Sequence, residues 1–256
     1  MRKRLQWKLP HKWSQEFGIV HSLIKNHHKL LFQKKVEMSD VKQTIAVIGG
    51  TGGLGSALAF RWGQAGYKII IGSRNAEKAL LSAAKLNERL GRTFASGLSN
   101  RDAANAAGII VLTVPFSNHK TIVEEIMEAV QGKIVVDTTV PLVPPKVSRV
   151  QLPKGGSVAK LAQERLGKNV RLVSAFQTVA AASLAKNKPL EGDVLVCGNN
   201  VEARTSVISL VEATGLKGWH AGPIDNSVVS ESLTPVLIFL NKRYEMGHSG
   251  IRIVGN

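Results

Sequence analysis

The chain has one cysteine in 256 residues, only 18 acidic side chains against 34 Lys/Arg, and no long apolar run. The lone thiol, Cys197, excludes an internal disulfide framework and any multi-cysteine metal cluster. It lies in "DVLVCG", a strand-like run that makes it a small buried hydrophobe rather than a nucleophile. A membrane helix needs about 20 consecutive apolar residues; none is present, so no membrane partner is expected. A secretory signal needs an unbroken apolar stretch and a small-residue cleavage site. The first residues show neither, and the expected location is cytoplasmic. The shortage of acids leaves a net charge of +16. That surplus favours acidic partners, whether phosphorylated cofactors, nucleic acid or anionic lipid, and says nothing about fold.

The length allows one large or two modest domains with a real core. Residues 1–43 hold ten Lys/Arg and three Asp/Glu, and "MRKRLQWKLPHKW" has no sustained period. This reads as a basic, loosely ordered arm. Synthesis starting at Met38 is an alternative, because the regular pattern begins at Thr44. His11, His21, His27 and His28 lie in the arm. Zinc needs ligands held in geometry, and with no nearby cysteine and no scaffold no metal site is expected.

From Thr44 apolar runs alternate with helical spacing. "TIAVIGG", "YKIIIGS", "GIIVLTVP", "GKIVVDTT" and "VRLVSAF" read as buried strands. "LGSALAFRWGQAG", "AEKALLSAAKLNERLG", "HKTIVEEIMEAV" and "SVAKLAQERLG" read as helices between them. Gly66 and Gly91 stand where helix ends want glycine. The alternation predicts βαβ units: an α/β fold with a Rossmann-type doubly wound parallel sheet over 44–176. Residues 177–256 predict a smaller C-terminal α/β domain, with "SVVSESLTPVLIFLNKRYEM" a long apolar helix interrupted at Pro235. Core burial or a dimer interface explains its apolar surface. Thr138–Gly156, with four prolines, is a long connection at the strand edge where ligands bind. A lid and a surface excursion both fit it.

"GGTGGLG" contains G-x-G-x-x-G as Gly50, Gly52 and Gly55. The first glycine makes the tight turn, the second admits backbone amides to a diphosphate, and the third lets helix approach strand. The turn follows a buried strand and opens a helix, the context that gives the motif its meaning. The helix N-terminus then favours negative charge. About 20 residues on, at the end of the second strand, an acid would bind the ribose hydroxyl of NAD. Ser73 and Arg74 stand there instead. Arginine offers a planar fork to phosphate oxygens, serine adds a hydroxyl, and Lys78 follows one helical turn later. The expected cofactor is NADP(H), not NAD(H).

The runs "GGTGGLGSALA…GSRNAEKA", "VSAFQT" and "AGPIDNSVVSESLTPVLIFLNKRYEMGHSGIRI" resemble the NADPH-dependent F420 reductases, also called F420H2:NADP oxidoreductases. The resemblance spans about residues 44–256. Its N-terminal part alone also fits other NADP-binding reductases, including the domain of transmembrane metalloreductases; the tail is more specific. The resemblance implies a homodimer and a hydride passed between nicotinamide C4 and C5 of the deazaflavin F420, in a cleft between domains. It implies NADP contacts at Thr51, Ser73, Arg74 and Lys78, within a cofactor site of Gly50, Thr51, Gly52, Gly53, Leu54 and Gly55. Thr113, Val114 and Pro115 match the loop that flanks the cofactor. Val179, Ser232 and Thr234 match the deazaflavin pocket. Gln177 stands where the family resemblance leads one to expect histidine beside F420; it can donate a hydrogen bond but cannot titrate.

Direct hydride transfer asks the protein for placement, electrostatics and exclusion of water. No catalytic acid, base, nucleophile or metal is expected, and Asp137 reads as a structural hydrogen-bonding group. The expected partners are a small-molecule co-substrate and a second copy of the chain, with no nucleic acid. Two alternatives stand beside F420 reduction. One is NADPH-dependent reduction of a pterin, flavin or small carbonyl compound, motivated by Gln177. The other is a non-catalytic NADPH-binding protein whose basic arm meets a polyanion.

Overall fold

A computed structural model describes residues 42–255. The basic arm and its four histidines lie outside the described residues, apart from the arm's last two positions.

The chain forms eight strands and eight α-helices among the described residues. In order these are β1 Ile45–Ile48, α1 Gly53–Gln64, β2 Ile69–Ser73, α2 Ala76–Leu90, β3 Ala95–Ser99, α3 Asn100–Ala106, β4 Ile109–Leu112 and α4 Phe116–Ile126. Then come β5 Ile134–Asp137, α5 Val158–Leu166, β6 Arg171–Ser174, α6 Ala181–Ala185, β7 Asp193–Gly198, α7 Val201–Glu212, β8 Lys217–His220 and α8 Ser227–Arg243. The sheet order is β3-β2-β1-β4-β5-β6-β7-β8. All pairings are parallel except β6 with β7. This is the doubly wound α/β sheet the alternation predicts, with one antiparallel departure beyond β6.

Every residue of β1, β4 and β5 is buried, as a sheet covered on both faces requires. The strand period of two divides β1 between two cores. Ile45 and Val47 pack with Leu58 and Trp62 of α1, Leu86 of α2 and Leu210 of α7. Ala46 and Ile48 pack with Ala103 of α3, Ile122 and Ile126 of α4, and Leu166 of α5. Each buried Leu or Ile contributes about 1.5–3 kcal/mol through removal of apolar surface from water. Trp62 also donates from Nε1 to the Leu210 carbonyl at 2.8 Å and meets the Phe176 ring edge-on. That bond ties α1 to α7 across a long stretch of chain.

The boundary expected after residue 176 falls just beyond β6, at Phe176 with φ +72°. β7 and β8 nevertheless extend the same sheet, and Val194 and Val196 share the core of Ile45 and Val47. Three elements escape the sequence patterns. β3 is buried only in part, and "ASGLS" lacks a continuous apolar run. α3 follows it directly. α6 has five residues, too few for a helical period, and docks where Arg61 Nε donates to the Leu184 carbonyl at 2.9 Å. α8 is not interrupted at Pro235 but runs through it. The ring removes only the N–H that would have reached the Glu231 carbonyl, and Thr234 Oγ1 still bonds Ser230 O at 3.0 Å.

Candidate functional site

A cleft of about 690 Å³ opens at the C-terminal edge of the sheet. It lies over β1, β2, β4 and β5, where the strand order reverses direction from β1. That switch point is where open α/β sheets bind ligands. Gly49, Thr51, Gly52, Gly53 and Leu54 of the glycine turn line it with Ser73, Arg74 and Thr113–Pro115, while Gly50 and Gly55 stand behind them and do not.

The turn is built by close backbone approach. Gly49 has φ +77°. A Cβ on Gly55 would stand 2.5 Å from Thr113 Oγ1 and 2.8 Å from Gly50 Cα. A Cβ on Gly50 would stand 2.8 Å from the Val47 carbonyl. Thr113 locks the opposite wall, since its N–H and its hydroxyl both donate to Ile48 O at 2.9 Å. Gly52 precedes α1, and no side chain caps that helix. Its first N–H groups therefore face the cleft edge without a competing carboxylate or hydroxyl, as an anion site requires.

Beyond the turn, β2 ends at Ser73 and Arg74 is exposed. Ser73 Oγ accepts from Asn75 N at 3.2 Å, and Asn75 Oδ1 caps α2 by accepting from Lys78 N at 3.0 Å. This cap fixes where α2 begins and holds Arg74 at the strand end. Lys78 is exposed one turn into α2 and does not line the cleft.

The four residues assigned to the second substrate lie elsewhere. Gln177 is buried, and its Nε2 donates to Asp137 O at 2.8 Å and Ser174 Oγ at 2.9 Å. Thr234 Oγ1, on α8, lies 2.9 Å from Gln177 O. Ser232 is half-buried on the same helix. Val179 borders a separate cavity of about 60 Å³ with Leu190 and Ile251. The structure thus joins Gln177 to Thr234, and none of the four lines the 690 Å³ cleft.

Asp137 is fully buried at the end of β5. Its Oδ2 lies 2.7 Å from His119 Nε2, and its Oδ1 accepts from Thr139 N at 2.9 Å. Burial alone would push this carboxyl up, but His119 and the Thr139 amide and hydroxyl pull it below the ordinary range. Burial likewise opposes charge on His119, and the Asp137 carboxylate overcomes it, holding the imidazole above its ordinary value. Asp137 is thus a structural anchor, as the sequence predicts, while its partner His119 carries no sequence signal beyond helix register. Cys197 is buried, and burial raises its thiol to about 11, so it is no nucleophile.

The connection 138–156, which the sequence placed at the ligand-binding strand edge without singling out any residue, supplies one wall. Thr138, Thr139, Val140, Leu142, Pro144 and Val147 form one side of the cleft. Their position after a central strand was the available signal. Asn100 also lines it, at the start of α3; without β3 recognised, nothing placed it there. Asn100 Oδ1 is buried without a hydrogen-bond partner. A glycine cradle that Cβ atoms would fill, an uncapped helix start and a strand-end arginine together fit a phosphorylated dinucleotide.

This combination defines a dinucleotide-binding α/β protein of the doubly wound class. Residues 44–141 match the family described as NADP oxidoreductase, coenzyme F420-dependent. The F420-dependent NADP reductase of Methanocaldococcus jannaschii is 39% identical over 218 residues, covering 82% of this chain and 97% of that protein. The enzyme of the same name from Methanothermobacter thermautotrophicus is 36% identical over 217 residues, covering 82% and 94%. A crystal structure from Arthrobacter sp. FB24, 23% identical, covers 83% of this chain and 100% of its own with a TM-score of 0.70, a likeness of fold. The chain belongs to the F420-dependent NADP reductase family.

Proposed function

We propose that the protein transfers a hydride between NADP(H) and coenzyme F420. The observation that carries this is Arg74 and Ser73 beside a glycine turn that has no room for a Cβ, in a chain 39% identical to a named F420-dependent NADP reductase. Nicotinamide and deazaflavin supply the redox chemistry when bound; the chain supplies binding, orientation and dryness. Backbone amides from Gly50 to Gly55, with Thr51 and Leu54, hold the diphosphate. Ser73 and Arg74 hold the 2′-phosphate, with Lys78 adding charge beside them. Thr113, Val114 and Pro115 support the ribose and ring beyond. Gln177, Val179, Ser232 and Thr234 lie off this cleft as it stands, so for them the acceptor-side role rests on the family resemblance and not on the geometry. Holding two rings at near-attack distance is worth on the order of 7–11 kcal/mol in favourable intramolecular reactions.

The reading extends to a cytoplasmic homodimer. Both co-substrates are polyanions, which cross hydrocarbon only at high cost. On α8, Val229 is 52% and Phe239 53% exposed, and Val236 is exposed between them. Such an apolar face suits a second copy.

The test is direct. Purified protein given NADPH and F420 should bleach the deazaflavin absorbance, and NADH should serve poorly. Absence of turnover with NADPH and F420 across a wide pH range would overturn the reading.

A further inference from the structure

The strap from Thr138 to Gly156 walls the cleft yet does little to hold itself down. Val140, Leu142, Pro144 and Val147 line the cleft. Between residues 140 and 156 the hydrogen bonds run only within the segment, such as Lys146 N to Val143 O and Gln151 Nε2 to Lys146 O, both 3.1 Å. Most residues from 143 to 156 are exposed. A segment with so few buried contacts opens readily unless its ends are held.

The near end belongs to the sheet, where Thr138 donates to Leu112 O from both N and Oγ1. The far end leaves through Gly155 and Gly156, at φ +107° and +105°, and is fastened to α8. Ser157 Oγ lies 2.7 Å from Ser227 Oγ. Val158 N and Ala159 N donate to Glu231 Oε2 and Oε1 at 2.7 and 3.1 Å. Ser227 and Glu231 are fully buried. A carboxylate on helix-start amides is a strong, directional link. α8 is seated in turn on the end of β6, where Thr234 Oγ1 donates to Gln177 O at 2.9 Å.

We infer that Glu231 and Ser227 of α8 are positioning residues for the cofactor, fastening the far end of the strap and so holding the cleft wall where a bound nucleotide meets it. The inference rests on the reading of the cleft as an NADP site. Neither residue lines the cleft, so they act on the nucleotide through the wall.

Two measurements test this at pH 8, above the value of about 7 at which Glu231 ionises. One is the rate of tryptic cleavage after Lys146, Arg149 and Lys154, all exposed on the strap. The other is isothermal titration with NADP+, whose stoichiometry reports the folded fraction. Glu231→Gln keeps the volume but sets an NH2 against one of the two amides. It should speed strap cleavage and weaken NADP+ binding, each roughly tenfold, at full stoichiometry. Loss of a negative charge alone would tighten binding of a polyanion, so weakening reports the wall. Ser227→Ala should move both readouts the same way by about two- to fivefold. Val207→Ala, a core cavity in α7 on the other face of the sheet, should leave both within about twofold of wild type. The inference is overturned if Glu231→Gln and Ser227→Ala leave either readout unchanged, or if Val207→Ala moves them as far. Wild-type protein that binds no NADP+ would overturn the NADP site itself, and the cleavage rates would then decide the fastening alone.

Discussion

His119 Nε2 and Asp137 Oδ2 stand 2.7 Å apart, and both side chains are buried. Removing one member of such a pair leaves the other charge buried and unpaired, which costs about 3–5 kcal/mol. His119→Ala should lower stability by about that amount in a denaturant titration. The pair also sets a pH window. The histidine's contribution is complete below its ordinary value of 6.5 and is lost as pH rises through its raised folded value. The aspartate's contribution is present above 3.8 and is lost as pH falls through its lowered folded value. Asp137→Asn keeps an acceptor for Thr139 N and should abolish the histidine's part of the decline on the alkaline side. An unchanged pH profile in that variant would refute the charged pair.

Glu231 gives a second pH signature with the opposite logic for a carboxylate. On α8, it accepts from Val158 N at 2.7 Å and Ala159 N at 3.1 Å, the first residues of α5. Burial raises its pKa from 4.5 to about 7 despite those two amide bonds. The folded state therefore binds this proton more tightly than the unfolded chain does. Its contribution is complete below 4.5 and is lost as pH rises to about 7, by an amount on the order of 3 kcal/mol. Glu231→Gln should flatten stability over that interval, measured by urea midpoints at successive pH values.

Gly55 should tolerate no side chain. Gly55→Ala places a methyl 2.5 Å from Thr113 Oγ1 and under 3 Å from backbone at Gly50 and Gly49. Overpacking of this kind costs about 1–3 kcal/mol, and spreading α1 from β4 should abolish NADPH binding. Gly97→Ala is the control, because its methyl would strike the backbone of Ala79 and Leu80, between β3 and α2. It should lower stability while the folded fraction still binds NADPH. Intact binding by Gly55→Ala in a fluorescence titration would remove the phosphate-cradle argument.

Arg74→Ala addresses cofactor choice. Losing a charge-assisted hydrogen bond to phosphate should weaken NADPH roughly 10- to 100-fold and leave NADH nearly unchanged. Equal losses for the two cofactors in steady-state KM values would show that Arg74 does not read the 2′-phosphate.

Val236→Asp probes the exposed face of α8. The side chain is 41% exposed, so a carboxylate there is hydrated in a monomer and desolvated in a dimer. Sedimentation should show wild type as a dimer and the variant as a monomer at equal concentration. A dimeric variant would place the interface elsewhere.

Much of this protein was legible locally. An apolar run flanked by glycines specifies a buried strand wherever it lies, so β1, β2, β4, β5, β6 and β7 followed from their own residues. Asn75 and Gly91 mark the ends of α2 through contacts within a few residues. The glycine turn and Arg74 are local in the same sense, since their chemistry is set by backbone freedom and side-chain type at a prescribed strand end. Pairing across the chain is not local. The antiparallel β7, the meeting of Glu231 with the start of α5, and the burial of His119 against Asp137 depend on which strands and helices become neighbours. The side chains of Asn100 and Thr139 acquire meaning only when sheet order brings β3 and β5 to one cleft. Gln177, prominent in sequence as an unexpected residue, spends its amide nitrogen on Asp137 and Ser174. Short-range sterics and hydrophobic period act through nearest neighbours and can be read from the string, whereas buried polar partnerships are made between distant segments and exist only after the sheet has closed around them.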